Sequence, residues 1–522
     1  MKTAIKYLSI LLLSILMVNC GKLESVSYGD INASVFPKSE KDIQALVMSC
    51  YYPLRGNWWD GINHNSERGQ MFVNDCCTEI LAGLFGAQLM CHNMSYNQNN
   101  IEVTYFYFNR TNDNSGWSDG FANKISRCTL AMDAIDKSDL SQEQKDKYMA
   151  EVRCARGYLS YILYDMYGPL VIAPLDVLQN PLKEVSLPRL SREDMVKFIE
   201  DDLTFAGDHL PYPKAADYGR FSRGLAKTLL IRLYLHETVV DKSYYNKVET
   251  IARELMTSDY GYSLVPDYTR LFQAAGMTKS NPEYIFVIPT SPEGPNRGQW
   301  QAMVMPVPSD SLPKDGWGQT VMSTWWFYDT FEPTDTRKTY LIAQYTNTEK
   351  DDKGNTVVVT YNRQNPNKNG PMTLGPIPQK YEIESSSLNS SLDIVEYRYP
   401  EVLLSLAEAI AMKPGGSVTQ EAVDLMNMVR TRAKVPEKKL SDFPTIQSFT
   451  NQLLTERSHE FWCENGQYRA DLIRFDKLYD RVMELNAGIA PFASKDKYVY
   501  PLPPSVIADG KGQVIQNPGY TQ

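Results

Sequence analysis

The sequence predicts a mostly α-helical fold: an irregular superhelix resembling tetratricopeptide repeats, with a loop-rich inserted segment that carries short strands. Apolar residues recur at helical spacing through most of the chain. Two helix–turn–helix units, at 222–256 and 399–433, each cover close to the ~34 residues of such a repeat. This periodicity stops between residues 259 and 394. We therefore expect helices on both sides of an irregular insertion.

The first unit rests on apolar residues in 222–237, where Leu225, Leu229 and Leu233 fall one turn apart. A second helix is predicted at 244–256, after a short polar break. Paired helices of this length bury their apolar stripes against each other. The unit is therefore expected to be one step of the superhelix.

The second unit starts at Tyr399, with Val402 and Leu406 at helical spacing, and Pro-Gly-Gly at 414–416 ends its first helix. Its second helix is predicted from about 419 to 433. Longer amphipathic stretches predict further helix pairs, at 117–136, 141–167, 191–208 and 446–463.

The segment 259–394 has a different texture, because Pro, Gly, Asn and Trp replace the helical pattern. Short runs at 284–288 and 356–361 predict strands within it. A long loop-rich segment inside a helical scaffold usually carries function. We expect ligand contacts there.

Composition excludes several classes of protein. The chain has 522 residues, 43% hydrophobic and 22% charged, which excludes a disordered chain and a protein with many membrane spans. Lys and Arg total 53 against 62 Asp and Glu, a net charge of -9, so nucleic acid is not an expected partner. The 33 Tyr, 8 Trp and 18 Phe exceed the needs of a helical core.

The N-terminus predicts export. The apolar run 7–18 follows basic residues and is too short to span a membrane, which predicts a signal peptide over 1–19. Cys20 directly follows and resembles the lipobox cysteine of bacterial lipoproteins. Residues 20–38 would then be the lipidated cysteine and a tether. Ordinary signal cleavage, with Cys20 incidental, is the alternative.

Seven cysteines follow Cys20, and an odd number cannot all pair. Cys76, Cys77, Cys91 and His92 lack the ligand spacing of zinc sites. Buried thiols and one or two disulfides both remain open. No metal and no cofactor is predicted.

A series of motifs resembles the SusD/RagB family of surface lipoproteins, in the order that the family shows. Arg-Gly-Tyr at 156–158 and Asp-Met-Tyr-Gly-Pro-Leu at 165–170 look like its N-terminal half. Pro400 stands where the family more often has Ala or another helix former, but proline costs little in a first helical turn. The C-terminal motifs are RYPEVLL at 398–404 with AEA at 407–409, NMVRTRA at 427–433, ER at 456–457 with EF at 460–461, ENG at 464–466 with Arg469, DLIR at 471–474, PLP at 501–503 and QNPGY at 516–520.

The resemblance implies an N-terminal SusD-like helical region at 39–258 and a C-terminal RagB/SusD-like region at 259–522. It implies a lipid-anchored protein on the outer face of the outer membrane, acting with a TonB-dependent transporter of the SusC kind. Such a protein captures glycans for import and is not an enzyme. A peptide-binding member of the same fold is one alternative, and a cleft glycosidase is another.

Three carboxylates bear on the enzymatic alternative. Glu456, Glu460 and Glu464 fall at i, i+4 and i+8, so like charges line one helical face and need cations. We expect compensation from cations such as Arg457, Arg469 or Arg474, which are nearby in sequence. A glycosidase needs two carboxylates that face each other across a cleft. The spacing favours structural ion pairs.

Aromatic residues beside polar ones predict the ligand site, because sugar rings stack on indoles while polar groups bond the hydroxyls. The predicted ligand-binding residues are Trp317, Trp58, Trp59, Asp60, Trp300 and Arg297. Trp317 lies between two glycines and is similarly placed to family tryptophans that stack on glycan. Trp117 and the run 325–328 are predicted to belong to the core.

Overall fold

The computed structural model describes residues 37, 39–55, 69–83, 86–99, 121–180, 182–291, 293, 300–307, 309–313, 316, 318, 321–367, 372–385, 390–485 and 492–521. Its first half is mainly helical. The elements are α1 (Glu40–Tyr51), α2 (Gln70–Asp75), β1 (Leu81–Gly83), α3 (Gly86–His92), α4 (Phe121–Asp136), α5 (Gln142–Tyr167), α6 (Leu175–Leu178), α7 (Arg192–His209), α8 (Arg223–Glu237) and α9 (Tyr244–Leu255).

The middle segment contains short strands and short helices, and long helices return after it. The middle elements are β2 (Tyr284–Ile288), α10 (Trp300–Val304), β3 (Val321–Ser323), α11 (Trp325–Thr330), β4 (Leu341–Ile342), β5 (Gln344–Lys350), β6 (Thr356–Asn362), β7 (Ile377–Pro378) and β8 (Ile394–Arg398). The C-terminal helices are α12 (Tyr399–Met412), α13 (Gln420–Arg432), α14 (Ile446–Phe461), α15 (Tyr468–Arg474), α16 (Leu478–Leu485) and α17 (Pro504–Asp509).

Long helices pack in chain order to form the superhelix. Helix α4 packs on α5, α5 on α7, α7 on α8 and α8 on α9. Helix α9 then packs directly on α12, which continues to α13 and α14. The helices on either side of the middle segment therefore pack directly on each other, and the middle segment is an insertion in the helical array. This confirms the mostly α, repeat-like superhelix that the sequence predicts.

The insertion is closed at its base by a strand pair. Strands β2 and β8 are antiparallel, with Tyr284 opposite Arg398 and Ile288 opposite Ile394. Both strands are buried along their length. Because β8 runs directly into α12, this pair fixes the insertion to the helical array. The other strand pairs are β1–β3, β4–β7 and β5–β6, all antiparallel.

Helix α5 lies at the centre of the N-terminal half. A capping box starts it, in which Ser141 and Gln144 each accept a hydrogen bond from the other's backbone N–H. Every residue from 154 to 167 is buried, so neighbouring elements surround this part of the helix. Gly168, with φ of 74°, ends it.

The predicted helix boundaries are confirmed to within a few residues in the part of the chain that is described. Ser222 and Thr419 cap α8 and α13 with their side-chain oxygens. Pro400 lies in the first turn of α12, as expected of a tolerated proline. Trp117 and Cys20 lie outside the described residues.

Among the described residues, no helix combines the length and the apolar character needed to cross a membrane. The seven cysteines after Cys20 are all buried and all thiols in this structure. They are Cys50, Cys76, Cys77, Cys91, Cys128, Cys154 and Cys463.

Candidate ligand-binding site

Most of the predicted ligand contacts belong to segments beyond the described residues. These are Trp58, Trp59, Asp60, Arg297 and Trp317. What the structure shows is the framework on which these segments begin and end.

The structure corrects the prediction made for Trp300. Its side chain is only 4% exposed, and the indole Nε1 donates a hydrogen bond to the Pro378 carbonyl at 2.8 Å. The ring also stacks on Phe72, with centroids 5.2 Å apart. An indole held on its edge and its face is not open to a sugar, so the prediction of ligand contact for Trp300 is wrong. The apolar residues that follow it, Ala302 to Met305, are the signal that marks a buried position.

Trp300 instead joins two of the segments that carry predicted contacts. It opens α10 directly after 294–299, the segment that contains Arg297. Its stacking partner Phe72 lies in α2, which follows the segment 56–68 that contains Trp58. Each of these two segments therefore ends, in sequence, next to or a few residues before one of the two stacked rings.

The segment with Trp317 borders the same framework. The backbone at Gly316 runs so close to α10 that a Cβ there would lie 3.1 Å from the Ala302 carbonyl. Gly318 has φ of +72°, which side-chain-bearing residues rarely adopt. Backbone geometry therefore accounts for both glycines, and Trp317 between them lies outside the described residues.

Strand pairing completes this arrangement. Strand β3 begins at Val321, just after the Trp317 segment, and pairs with Gly83 of β1. Helix α10 packs against β3. We call α2, β1, α10 and β3 the loop framework. The segments with Trp58, Arg297 and Trp317 all begin or end on it.

Helix α11 is less buried than expected. Phe327 is fully buried, which confirms its prediction as core, but Trp325, Trp326 and Tyr328 are only partly buried. Cations cover these three rings: Arg363 lies 5.0 Å from the Trp325 ring, Lys338 4.2 Å from Tyr328 and Arg481 4.5 Å from Trp326. The run 325–328 therefore lies at the edge of the core, with Phe327 inside it and the other three rings only partly buried.

The three carboxylates predicted to form ion pairs do so. Glu456, Glu460 and Glu464 are all at most 1% exposed. They bond to cations that are distant in sequence: Arg337 and Arg430 for Glu456, Arg337, Arg398 and Arg432 for Glu460, and Arg398 and Lys380 for Glu464. Helix α14 ends at Phe461, so Glu464 lies beyond the helical face on which it was predicted.

Burial and the neighbouring charged groups set the pKa values in this cluster. Burial raises the pKa of Glu460, but the charges of Arg432, Arg398 and Arg337 outweigh burial and hold the pKa well below its usual range. Burial lowers the pKa of Lys380 to about 8. The Glu460 carboxylate is thus ionised, and its oxygens accept bonds from three guanidinium groups. This environment suits a structural role and not proton transfer.

The cations predicted for this cluster bond to other groups, so this prediction is also corrected. Arg457 bonds Glu401 and Asp471, each within 2.8 Å at its shortest contact. Arg474 bonds Glu408 and Asp471, at 2.7 and 2.9 Å. Arg469 donates to the Tyr498 carbonyl and lies over the Tyr500 ring. Sequence proximity failed here because a helix directs neighbouring side chains to different faces.

Within the described residues, no group of three or more His, Cys, Asp or Glu side chains is placed to hold a metal ion. The carboxylates of the C-terminal motifs take part in ion pairs. Among the described residues, these buried and paired carboxylates are therefore not opposed across an open cleft.

Comparison with known proteins identifies relatives of this fold. A family model described as the SusD family matches residues 282–520. SusD-like protein P2 of Formosa agariphila is 23% identical over 536 aligned residues, which cover 98% of this chain and 99% of the relative.

Solved structures show the same fold. A SusD superfamily protein from Bacteroides vulgatus has a TM-score of 0.72 at 18% identity, covering 93% of this chain and 100% of that chain. Surface glycan-binding protein A from Bacteroides thetaiotaomicron, in complex with laminarihexaose, has a TM-score of 0.68 at 20% identity, covering 92% and 99%. The likeness extends over the helical array and the insertion together.

Proposed function

We propose that this chain, whose residues 282–520 match the SusD family model, is a surface glycan-binding lipoprotein that delivers oligosaccharides or polysaccharides to a TonB-dependent SusC-like transporter. The observation that carries the proposal is the loop framework. It brings the boundaries of three segments with predicted aromatic and polar contacts to one packed region, where the insertion meets α2 and β1 of the N-terminal half.

Glycan is the favoured ligand because of the residues on those segments. Trp58, Trp59 and Trp317 supply ring faces, while Asp60 and Arg297 supply hydroxyl partners. The relative from Bacteroides thetaiotaomicron, which shares this fold, is described as a surface glycan-binding protein in complex with laminarihexaose. A neutral glucan oligomer of that type is therefore the first ligand to test.

The chain acts by binding and not by catalysis in this proposal. The carboxylates of the family motifs are buried and paired, so they cannot face each other across a bound glycosidic bond. Binding proteins of this kind need affinity, release and attachment to a surface. Cys20 would provide the attachment through lipidation, on the outer face of the outer membrane.

A glycan array with the purified chain tests this proposal. We expect binding to one or a few related polysaccharides, without release of reducing sugar from any of them. Retention of peptides and no glycan on a parallel peptide array would favour the peptide-binding alternative. Release of reducing sugar would favour the glycosidase.

A further inference from the structure

A cavity of about 860 Å³ lies between the first turns of α5, the end of α7 and the segment 211–221. We call it the acidic cavity. None of its lining residues belongs to the loop framework. Its volume is within the range of pockets that hold small molecules or short oligomers.

The acidic cavity carries an excess of negative charge. Four acidic side chains line it: Glu143 and Asp146 of α5, Asp208 of α7, and Asp217 of the connecting segment. Among the described residues, none of these four forms an ion pair with a basic side chain. Of the lysine and arginine side chains in the lining, only Lys147 is likewise outside an ion pair. Four carboxylates therefore share the cavity with one uncompensated cation.

Glu151 adds a buried hydrogen-bond acceptor to the same lining. The residue is only 5% exposed. Its Oε2 accepts the hydrogen bond of the Tyr51 hydroxyl at 2.5 Å and lies 2.5 Å from Arg220 Nη2. Its Oε1 accepts no hydrogen bond from the described residues. Because a buried carboxylate oxygen without a donor is costly, Oε1 is the atom that a donor entering the cavity would bond.

Other classes of ligand fit this lining less well. A neutral sugar needs an open ring face, but Phe221 is only 1% exposed and stacks on Tyr51. One face of the His209 ring is covered by Phe205, with ring centroids 4.0 Å apart. A metal ion needs several ligands on one centre, and no such group is present among the described residues.

We propose that the acidic cavity binds a small molecule or short oligomer that carries primary ammonium groups. An ammonium has three donors and no acceptor, so it matches carboxylates, which only accept. One ammonium donates to Glu151 Oε1, and the others lie among the carboxylates of Glu143, Asp146, Asp208 and Asp217. Amino-sugar oligomers and short lysine peptides share this chemistry. The site is independent of glycan capture by the insertion.

Isothermal titration calorimetry of the purified chain tests the proposal with three probes. These are a glucosamine trimer, its fully N-acetylated counterpart and a lysine tripeptide with blocked termini. We expect at least one of the two amine probes to bind, with an affinity that falls as salt is added. Which of them binds identifies the source of the ammonium group. Binding of neither amine probe would overturn the proposal, and so would equal affinity for the acetylated trimer.

Matched variants locate the binding. D208N/D217N should weaken amine binding about tenfold, because two carboxylates close to the ligand lose their charge. D424N/E484Q removes the same charge from exposed residues that do not line the cavity, so its affinity should not change. Equal weakening in both double variants would overturn the proposal, since it would show attraction to the net charge of the chain. Loss of amine binding in Trp317→Ala would overturn it too, by placing the ligand in the insertion.

Glu151→Gln tests the buried oxygen, because the amide keeps the shape of the side chain and loses its charge. Amine affinity should again fall about tenfold. Thermal unfolding checks that the variant is folded. Unchanged affinity in folded Glu151→Gln would overturn the assignment of an ammonium to Oε1.

Discussion

Glu460 is the residue at which the C-terminal half is most tightly held together. Its carboxylate is fully buried and bonds Arg337, Arg398 and Arg432, which reach it from the insertion and from two other elements. Removing one member of such a network leaves buried cations without compensation. The network therefore holds the insertion against the helices.

Glu460→Gln should lower the free energy of unfolding by roughly 3–5 kcal/mol, because the amide cannot neutralise three buried guanidinium groups. Urea denaturation followed by circular dichroism measures this loss. Glycan affinity of the folded protein should not change. Glu484→Gln is the control: its side chain is 59% exposed and its contact with Arg481 is 3.7 Å, so stability should hardly move.

An unchanged unfolding free energy in Glu460→Gln would show that the ion network does not stabilise the fold. Release of sugar by the wild type but not by the variant, at equal stability, would instead make Glu460 a catalytic residue.

Asp75 should make stability depend on pH. It is fully buried, its Oδ2 accepts the Cys463 N–H at 2.9 Å, and its Oδ1 has no hydrogen-bond partner among the described residues. Burial is the main cause that raises its pKa from 3.8 to about 7. The unfolded state therefore loses this proton at lower pH than the folded state, so this group costs stability progressively as pH rises from about 4 to 7.

Asp75→Asn should remove that cost. The variant should gain on the wild type by roughly 2–4 kcal/mol between pH 4 and pH 7.5, following the size of the pKa shift. Urea denaturation at a series of pH values measures the difference between the two proteins. Parallel stability curves would contradict the assigned environment of Asp75.

The role of a residue can be predicted from sequence where it depends on residues nearby in the chain. The charged motifs were recognised as ion pairs, but their partners were not, because Arg337 and Arg398 come from distant parts of the chain. Trp300 was misassigned for a related reason. Its burial depends on Phe72 and Pro378, which no local pattern connects to it.

At the scale of elements, the close crossing of α5 and α7 depends on a glycine. A Cβ added to Gly157 would lie 2.8 Å from Leu203 Cδ2 and 2.9 Å from its Cγ. Glycine in a helix interior otherwise costs up to ~1 kcal/mol relative to alanine. The packing at this crossing therefore outweighs the helical preference for alanine.

Gly157→Ala should lower the free energy of unfolding by roughly 1–3 kcal/mol, since the helices must separate or Leu203 must leave its place. Gly207→Ala in α7 is the matched control. A Cβ there would meet only Lys227, at 3.5 Å, so the substitution should be neutral or stabilising. Thermal unfolding of both variants measures the contrast, and equal behaviour would contradict the packing described here.

Long helices were the elements best predicted from sequence, because 3.6-residue periodicity and caps such as Ser222 identify them locally. Two of the strands, β2 and β6, were also found by their residue types. The two-residue and three-residue strands were not, since β1 forms only by pairing with β3 far along the chain. Strand pairs of this kind depend on tertiary contacts.

At the scale of the whole molecule, the helical array is a continuous scaffold, and we propose that the insertion is the part that binds ligand. Sequence located this insertion through its loss of periodicity, but could not show that β2 and β8 close it or that α9 meets α12. In our proposal, the location of the chain in the cell would depend on lipidation of Cys20.

Cys20→Ala should leave the protein folded but no longer attached to the outer membrane, because the predicted tether precedes α1 and the helical array. Membrane fractionation in cells that lack the transporter measures attachment, and thermal unfolding checks the fold. Cys154→Ser, which changes a buried cysteine of α5, should stay with the membrane. A membrane-bound Cys20→Ala protein would contradict lipidation at this residue.

The central claim is that the insertion captures glycan through Trp317, and isothermal titration calorimetry of Trp317→Ala tests it most directly, using a glycan that the array identifies. We predict that affinity falls by roughly 1–3 kcal/mol while the melting temperature stays within a degree or so, as for an indole that stacks on ligand. Trp300→Phe should show the opposite pattern, because it loses the buried bond to Pro378. High salt should leave the affinity for a neutral glycan unchanged. Equal affinity of wild type and Trp317→Ala, with a large fall in melting temperature, would contradict the claim.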